Sequence, residues 1–342
     1  MVKLFSILFL MTSLFLFCCT GGKNTATETA GDGALLLTFY NVENLFDTIN
    51  DPATNDDEFT PASEKQWNTQ RYLEKLDHLG KVLANVGTNL PDIIGLCEVE
   101  NEAVVRDLAS TDYLKSKSYK LVHRDSPDGR GIDVALLYDP EKLEVLTTEY
   151  IQSLLPAGDR PQTRLVLYAT MKSGADTLHC FVNHWPSRSG GQEETEPNRL
   201  TVAYNVDKRV DAIRAENPDA QIVLMGDFND YPNNRSLAEI MDAGLGENHA
   251  LVNLMWDIHK SGLGTYNYKG SWGCLDQFLV SQSLLDSSKG FYVEGGAQII
   301  KKDWMLFVDD KGVAYPSRTY GGPNYYGGFS DHLPIAMEIK HN

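Results

Sequence analysis

The chain alternates between short apolar runs and polar clusters, and residues 222–233, IVLMGDFNDYPN, are the clearest example. The run from Ile222 to Met225 predicts a buried strand that ends abruptly at Gly226. Such an ending is typical of a turn, or of a polar site at the edge of a sheet. Strand-like runs of the same kind lie at 34–46, 91–101, 131–139, 164–171, 177–185, 274–281 and 330–340.

Helical spacing of apolar residues is confined to a few segments. It predicts helices over 64–86 and from about 198 to 216, with a short helix from Glu102. Strands therefore outnumber helices, which favours two sheets packed face to face with helices outside. We expect a single domain over residues 34–342 with long loops at 186–197 and 303–329. The second loop is rich in Gly, Pro and Tyr and is a candidate cover for a pocket.

The acidic composition limits the classes of partner. The 342 residues carry a formal net charge of −17. Proteins that coat nucleic acid need clustered Lys and Arg to release counterions, so this chain is not of that type. A polyanionic substrate would have to meet a local basic patch or a bound cation.

The N-terminus has the pattern of an export signal. Lys3 precedes an apolar run over residues 4–17, which is too short to span a bilayer. We therefore predict a signal peptide over 1–18 and a flexible tether over 19–33. The pattern resembles a bacterial lipoprotein signal with Cys19 as lipid acceptor and membrane anchor. A periplasmic, outer-membrane or cell-surface location follows; plain secretion and a retained anchor are the alternatives.

Three cysteines remain after the signal segment: Cys97, Cys180 and Cys274. Their odd number and the absence of CxxC spacing predict neither a disulfide framework nor a zinc site. Cys97 and Cys180 lie in apolar runs, so we expect buried free thiols.

Strand after strand ends in acid, amide or imidazole side chains. A turn explains one such ending, but a turn does not require imidazole. If the endings meet at one edge of the sandwich, they form a single polar pocket whose oxygen-rich character suits Mg²⁺, with Mn²⁺ as an alternative. The endings are Asn41 and Glu43, Glu98, Asn183 and His184, Asp227 and Asn229, and Asp331 and His332.

The motifs NVEN, CEVEN, VNHW, GDFND, LDQFLVS and SDH resemble those of the endonuclease/exonuclease/phosphatase superfamily, over roughly residues 35–340. The resemblance implies a deoxyribonuclease I-like α+β fold. That fold is a four-layer sandwich of two packed, mostly antiparallel sheets flanked by helices. It leaves the substrate open, because the same motifs serve nucleases, inositol-phosphate phosphatases and sphingomyelinases.

The resemblance also implies a magnesium site. Glu98 corresponds to the principal metal ligand. Asn41 would stand beside it, holding the metal shell or the substrate phosphate. Asp331 would support the metal shell from the other side.

The catalytic roles implied by the resemblance centre on Asp227 and Asn229, which would orient the attacking water and hold the phosphate. His332 would act at the scissile phosphate with Asp276 as its carboxylate partner. Histidine and carboxylate pairs of this type supply the general base and acid that phosphodiester hydrolysis needs.

A second catalytic histidine is implied at His184. Asn183 beside it is a candidate substrate-binding residue. Asp133 would be the carboxylate partner of His184, although the related enzymes carry the longer Glu there. Trp185 is either a stacking surface for substrate or a packed aromatic.

Several cations could contact phosphate, and each could equally be a solvated surface charge. Arg188 is the best candidate, since it follows His184 by four residues in a Gly-rich loop. The others are Arg71, Lys75, Arg124 and Arg130.

The leading hypothesis is an exported, Mg²⁺-dependent phosphodiester hydrolase, a nuclease acting on DNA or RNA. The alternative within the same fold is a phosphomonoesterase or a sphingomyelinase-like phosphodiesterase. A non-catalytic surface binding module is the competing class. The sequence indicates no oligomeric state.

Overall fold

The computed structural model describes residues 33–156 and 162–341. Residues 1–32 lie outside the described residues. They comprise the predicted signal segment and the predicted tether up to residue 32, with Cys19. Within the described part, no helix is both long enough and apolar enough to span a bilayer.

Strands form most of the regular structure. In chain order the first ten are β1 (Leu35–Leu45), β2 (Ile93–Val99), β3 (Lys120–His123), β4 (Asp133–Tyr138), β5 (Glu144–Ile151), β6 (Val166–Ser173), β7 (Asp176–His184), β8 (Gln221–Asp227), β9 (Ala243–Gly244) and β10 (Leu251–Asn253). The rest are β11 (Tyr266–Tyr268), β12 (Ser271–Gly273), β13 (Asp276–Ser281), β14 (Phe291–Ile299), β15 (Leu306–Val308), β16 (Ala314–Pro316), β17 (Tyr320–Gly321), β18 (Asn324–Tyr325) and β19 (Ile335–His341).

The helices are α1 (Thr69–Leu83), α2 (Glu102–Ala109), α3 (Gln192–Glu216) and α4 (Trp256–Lys260). Helices α1 and α2 begin at Asn68 and Asn101, whose side chains accept backbone N–H groups of the first turn. Shorter helical turns lie at Asp57–Phe59, Lys115–Lys117, Ser236–Ile240, Gln282–Leu285 and Asp303–Met305.

Two large sheets pack face to face. One has the order β14-β19-β1-β2-β4-β3 and the other β5-β6-β7-β8-β13-β10-β9. Most neighbouring strands are antiparallel, but β1 pairs parallel with β2, β7 with β8, and β9 with β10. The predicted α+β sandwich of two mostly antiparallel sheets is confirmed.

The central strands of each sheet are buried on both faces, which explains the continuous apolar runs in the sequence. In β8, Val223 and Met225 face the core between the sheets, whereas Ile222 and Leu224 face α3. On the other sheet, Ile94 and the buried side chains on the same face of that sheet pack against α1 and α2. The result is four layers, with helices outside and sheets inside.

The parallel pairs place the polar strand endings together. The carboxyl ends of β1 and β2 lie at one edge of their sheet, and those of β7 and β8 lie at one edge of the other. Strand β13 runs antiparallel to β8, so its first residue, Asp276, pairs with the last residue of β8, Asp227. The topology therefore brings the acids and imidazoles at these strand ends to one edge of the sandwich.

The sequence did not predict some elements. Strand β5 is an exposed edge strand with mostly polar residues, and β14 is interrupted by Gly295 and Gly296, so neither forms an apolar run. Helix α3 begins at Gln192, inside the expected 186–197 loop. The expected 303–329 loop contains the hairpins β15–β16 and β17–β18. These hairpins are too short to produce a periodic signal.

Gly226 is required by the close approach of β7. A Cβ atom at Gly226 would lie 2.5 Å from both the Cβ and the carbonyl oxygen of Asn183. At Gly95 the Cβ atom would instead meet side chains, namely Sδ of Met225 at 2.9 Å and Cδ2 of Phe39 at 3.1 Å. The glycine before Asp227 is thus set by backbone packing.

We predict that Gly226→Ala lowers the unfolding free energy by about 1–3 kcal/mol or more, because the clash forces backbone shifts. Urea denaturation monitored by circular dichroism measures the loss. Gly95→Ala is the matched control and should cost less, since its neighbours are side chains, which can shift more easily than backbone. An equal or smaller loss at Gly226 would contradict this explanation.

Candidate active site

One carboxylate oxygen lies at the centre of the polar cluster at the strand ends. Oδ2 of Asp227 is 3.8 Å from Nε2 of His184 and 3.8 Å from Nε2 of His332. The same oxygen accepts a hydrogen bond from Nδ2 of Asn41 at 3.1 Å. Asp227 is buried, so these three neighbours take the place of water around it.

Glu98 joins the cluster from the end of β2, where the backbone leaves the extended conformation. Its Oε1 lies 3.8 Å from Nε2 of His184, and its Oε2 accepts the backbone N–H of Asn44 at 3.0 Å. Glu98 and Asn44 have φ angles of 62° and 53°. Such angles are costly for residues other than glycine and persist where surrounding contacts enforce them. The unusual strand ending therefore fixes the Glu98 carboxylate beside His184.

His332 and Asp276 form a buried pair. Nδ1 of His332 and Oδ2 of Asp276 are 2.7 Å apart. The ring of Tyr266 packs on the imidazole, with ring centroids 4.9 Å apart. The pair orients the imidazole so that its other nitrogen faces Asp227.

The buried groups change one another's proton affinities. Burial would lower the pKa of His332, but the carboxylates of Asp276 and Asp227 outweigh it and raise that pKa well above its usual value. Burial raises the pKa of Asp227 to about 7; the charges of Asp276 and Glu98 add to this and that of His332 opposes it. Near neutral pH, His332 is therefore an imidazolium beside a carboxyl group that can exchange a proton.

The pKa of His184 shifts in the opposite direction to that of His332. Burial lowers its pKa well below the usual value, and the positive charges of Arg164 and Arg130 lower it further. Its buried Nδ1 has no hydrogen-bond partner among residues 33–156 and 162–341. The two histidines thus face the same Asp227 oxygen, one neutral and one charged.

The predicted carboxylate partner of His184 lies elsewhere. Oδ2 of Asp133 is 3.0 Å from Nε2 of His123, and its Oδ1 accepts the backbone N–H of Ser126 at 2.7 Å. The prediction that Asp133 pairs with His184 is wrong, because β3 pairs with β4 and places His123 beside Asp133.

The predicted phosphate-binding arginine, Arg188, instead supports the loop after β8. Its Nε donates to the carbonyl of Asn229 at 2.7 Å, and its Nη2 lies 3.2 Å from Asp230 and 2.8 Å from Asn234. These donors are bonded within the loop, and the phosphate contact of Arg188 stays a prediction. The loop it holds places the backbone N–H of Asn229 2.9 Å from Oδ1 of Asp227.

Asn183 does not face a substrate. It is fully buried, donates to the carbonyl of Met225 at 3.2 Å and accepts Nε1–H of Trp185 at 3.0 Å. Its predicted substrate-binding role is therefore wrong. Trp185 is itself buried and packs edge-on against Phe228, so of the two readings of Trp185 the packed aromatic holds.

Sequence reasoning missed Arg318, which lies at the mouth of the cluster. Its Nη2 is 2.7 Å from Oδ2 of Asp331, and its Nε is 3.5 Å from Oε1 of Glu43. The Arg318 side chain is 45% exposed, so it can also meet an incoming anion. No local pattern marks it, because it lies between two short hairpins.

Lys75 was expected among the phosphate-contacting or solvated cations, and it is neither. Its Nζ donates to Oγ1 of Thr319 and to the carbonyl of Phe329, both at 2.6 Å. Burial lowers the pKa of Lys75 to about 8. Lys75 therefore fastens the 303–329 segment to α1.

The two predicted metal ligands, Glu98 and Asp331, both offer carboxylate oxygens beside the cluster. Glu98 and Asp331 keep side-chain exposures of 14% and 21%, so an ion could reach them. Carboxylate oxygens are the ligands that Mg²⁺ prefers. Asn41 uses its Oδ1 to accept the N–H of Glu43 and turns its amide nitrogen toward Glu98 and Asp227. It therefore orients these carboxylates.

Comparisons with known proteins agree with this architecture. The protein-family model described as "Endonuclease/Exonuclease/phosphatase family" matches residues 36–341 of the chain. Among curated proteins, none matches the chain in sequence.

Solved structures show the same fold at low sequence identity. The mannosyl-6-phosphatase Bt3783 of Bacteroides thetaiotaomicron VPI-5482 is 17% identical with a TM-score of 0.55, covering 89% of this chain and 99% of that one. TDP2 of D. rerio, complexed with single strand DNA product, is 16% identical with a TM-score of 0.54, covering 90% and 100%. The human Nocturnin catalytic domain is 15% identical with a TM-score of 0.51, covering 91% and 95%.

Because the pKa of Asp227 is raised, the unfolding free energy of the metal-free protein should depend on pH. An acid whose pKa is higher in the folded state keeps a proton that the unfolded chain releases. The folded state therefore loses stability as the pH rises from about 4 to about 7. Asp227→Asn removes this titration.

We therefore expect Asp227→Asn to become more stable relative to the unsubstituted protein as the pH rises from about 5 to about 8, with both proteins in EDTA. Urea denaturation across this range measures the difference. The exposed Glu141 provides a control, Glu141→Gln, whose difference should stay constant. A pH-independent difference for Asp227→Asn would show that Asp227 is not perturbed.

Proposed function

The chain belongs to the endonuclease/exonuclease/phosphatase family, whose members hydrolyse phosphate esters, and on that premise we propose that it is a Mg²⁺-dependent phosphodiester hydrolase acting as a nuclease. The observation that carries the proposal is the contact geometry of Asp227. One of its oxygens faces both a neutral and a charged histidine, beside the accessible carboxylate of Glu98.

Asp227 is the proposed general base. A pKa of about 7 lets its carboxylate accept a proton from water near neutral pH. Its Oδ1 is held by the backbone N–H of Asn229 at 2.9 Å, so the other oxygen faces the histidines in a fixed direction. Asn41 restrains that second oxygen.

His332 is the proposed cationic group at the phosphate. Asp276 fixes its orientation through Nδ1 and keeps it charged. Its Nε2–H can then donate to a phosphate oxygen, or release its proton to the leaving oxygen. His184, being neutral, contributes a hydrogen bond through Nε2 and no charge.

Glu98 and Asp331 are the proposed metal ligands, with Asn41 orienting Glu98. A bound Mg²⁺ would offset negative charge on the non-bridging phosphate oxygens. Arg318 beside Asp331 would supply further positive charge at the mouth of the site.

The proposal of a nucleic-acid substrate is supported by likeness of fold to a protein complexed with single strand DNA product. The fold also occurs in a mannosyl-6-phosphatase, so a phosphomonoesterase is the second candidate. A sphingomyelinase-like activity remains the third reading from the sequence.

A hydrolysis panel tests the proposed function. We expect Mg²⁺-dependent cleavage of single-stranded DNA or RNA that EDTA abolishes. Asp227→Ala and His332→Ala should each lower the rate about 10²- to 10⁴-fold, because each removes a proton-transfer or charge-stabilising group. Sphingomyelin, inositol phosphates and a hexose 6-phosphate complete the panel.

Glu141→Gln is the control and should retain the full rate. Release of inorganic phosphate from the monoesters alone would replace the nuclease with the phosphomonoesterase. Cleavage that survives both active-site substitutions would contradict the proposed site.

We also propose that the protein is exported and lipid-anchored at Cys19. After expression in a bacterial host with a labelled fatty acid, the full chain should carry the label in the membrane fraction. Cys19→Ser should abolish labelling, whereas the neighbouring Cys18→Ser should not. A processed but unlabelled protein would indicate plain secretion instead.

A further inference from the structure

The 303–329 segment forms a cavity directly beside the proposed active site. Its volume is about 440 Å³, within the range of small-molecule sites, ~300–1,000 Å³. The residues that matter for its chemistry are Tyr266, Phe307, Tyr315, Arg318, Tyr326 and Asp331.

Two wall residues link the cavity to the catalytic cluster. Tyr266 packs its ring against His332, with 4.9 Å between centroids. Asp331 directly precedes His332 and is paired to Arg318 at 2.7 Å. A single ligand could therefore place one group in the cavity and its phosphate at His332.

Two of the aromatic rings are open to solvent. Phe307 is 58% exposed and Tyr326 is 63% exposed. Because both rings line the same cavity, they form an apolar patch of the kind found at ligand-binding grooves. Since neither ring is needed to fill the core, both can be replaced without a large loss of stability.

We propose that this cavity binds a nucleobase of the substrate, stacked on Phe307 and Tyr326, while Arg318 faces the adjoining phosphate. The inference rests on the proposed function and narrows its substrate to unpaired nucleotides. Base stacking on aromatic side chains is how proteins hold single-stranded nucleic acid.

The flat aromatic rings in the cavity wall suit the flat ring of a base. The amide of Asn267 is bonded to the backbone of Ala314 and Gly270, so it does not serve the hydroxyl groups of a sugar. A choline headgroup would also suit an aromatic cage. Because Arg318 in this wall is paired with the carboxylate of Asp331, charge alone does not exclude choline, and phosphocholine is therefore included in the binding test.

The volume of the cavity and the net charge of the protein favour a single unpaired nucleotide as the ligand. A cavity of this volume holds one nucleoside, and a base must leave its stack to enter it. With a net charge of −17, the chain has little general attraction for duplex DNA. Stacking would therefore supply the affinity that long-range electrostatics does not.

Binding measurements test the inference separately from turnover. Calorimetric titration of the Asp227→Asn protein with Mg²⁺ and adenosine 5′-monophosphate is compared with ribose 5-phosphate and phosphocholine. We expect the nucleotide to bind about 5- to 150-fold more tightly than ribose 5-phosphate, which corresponds to one base stack. Phe307→Ala combined with Tyr326→Ala should erase most of this difference and leave ribose 5-phosphate unaffected.

Tyr268→Ala is the matched control, since Tyr268 is 58% exposed but does not line the cavity. Equal affinity for the two phosphates, tighter binding of phosphocholine, or an unchanged preference in the double variant would overturn the inference. A protein that prefers the nucleotide but cleaves no phosphodiester would support the cavity and contradict the proposed nuclease.

Discussion

The structure depends on the burial of a carboxylate, Asp227, at the meeting point of two sheets. Parallel pairing of β7 with β8 and antiparallel pairing of β8 with β13 bring His184, Asp227 and Asp276 to one edge. Burying charge without partners costs stability, so the surrounding imidazoles and amides are a condition of folding as well as a basis for chemistry. The fold accepts this cost at the place where the proposed reaction occurs.

The environment divides the two histidines into different roles. The carboxylates of Asp276 and Asp227 raise the pKa of His332, whereas burial and nearby arginines lower the pKa of His184, whose Nδ1 has no hydrogen-bond partner among the described residues. Identical side chains thus acquire opposite protonation states, and each faces the same oxygen of Asp227. This separation makes one histidine a cation and the other a neutral hydrogen-bonding group.

Much of this arrangement could be predicted from the sequence. Buried strands in a two-sided sandwich give apolar runs, and their polar endings mark the site, as at Glu98 and Asp227. The sequence could not show which imidazole neighbours Asp133, because this depends on the pairing of β3 with β4. It also could not show that the donors of Arg188 are taken by the loop after β8.

The largest gap concerns the 303–329 segment. Its hairpins are too short for periodic patterns, so Arg318 and the aromatic cavity were visible only in three dimensions. Composition predicted a cover over the site, which stays a prediction, and the hydrogen bonds of Lys75 show how this segment is fastened to α1. The residues proposed to set specificity thus lie where local sequence signals are weakest.

Nitrogen-15 NMR of the histidine side chains at about pH 7 measures the protonation of both imidazoles that face Asp227. We expect His332 to show both ring nitrogens protonated and His184 to show a neutral imidazole. Assignment through His332→Gln and His184→Gln identifies the signals. A neutral His332 or a charged His184 would contradict the division of roles around Asp227.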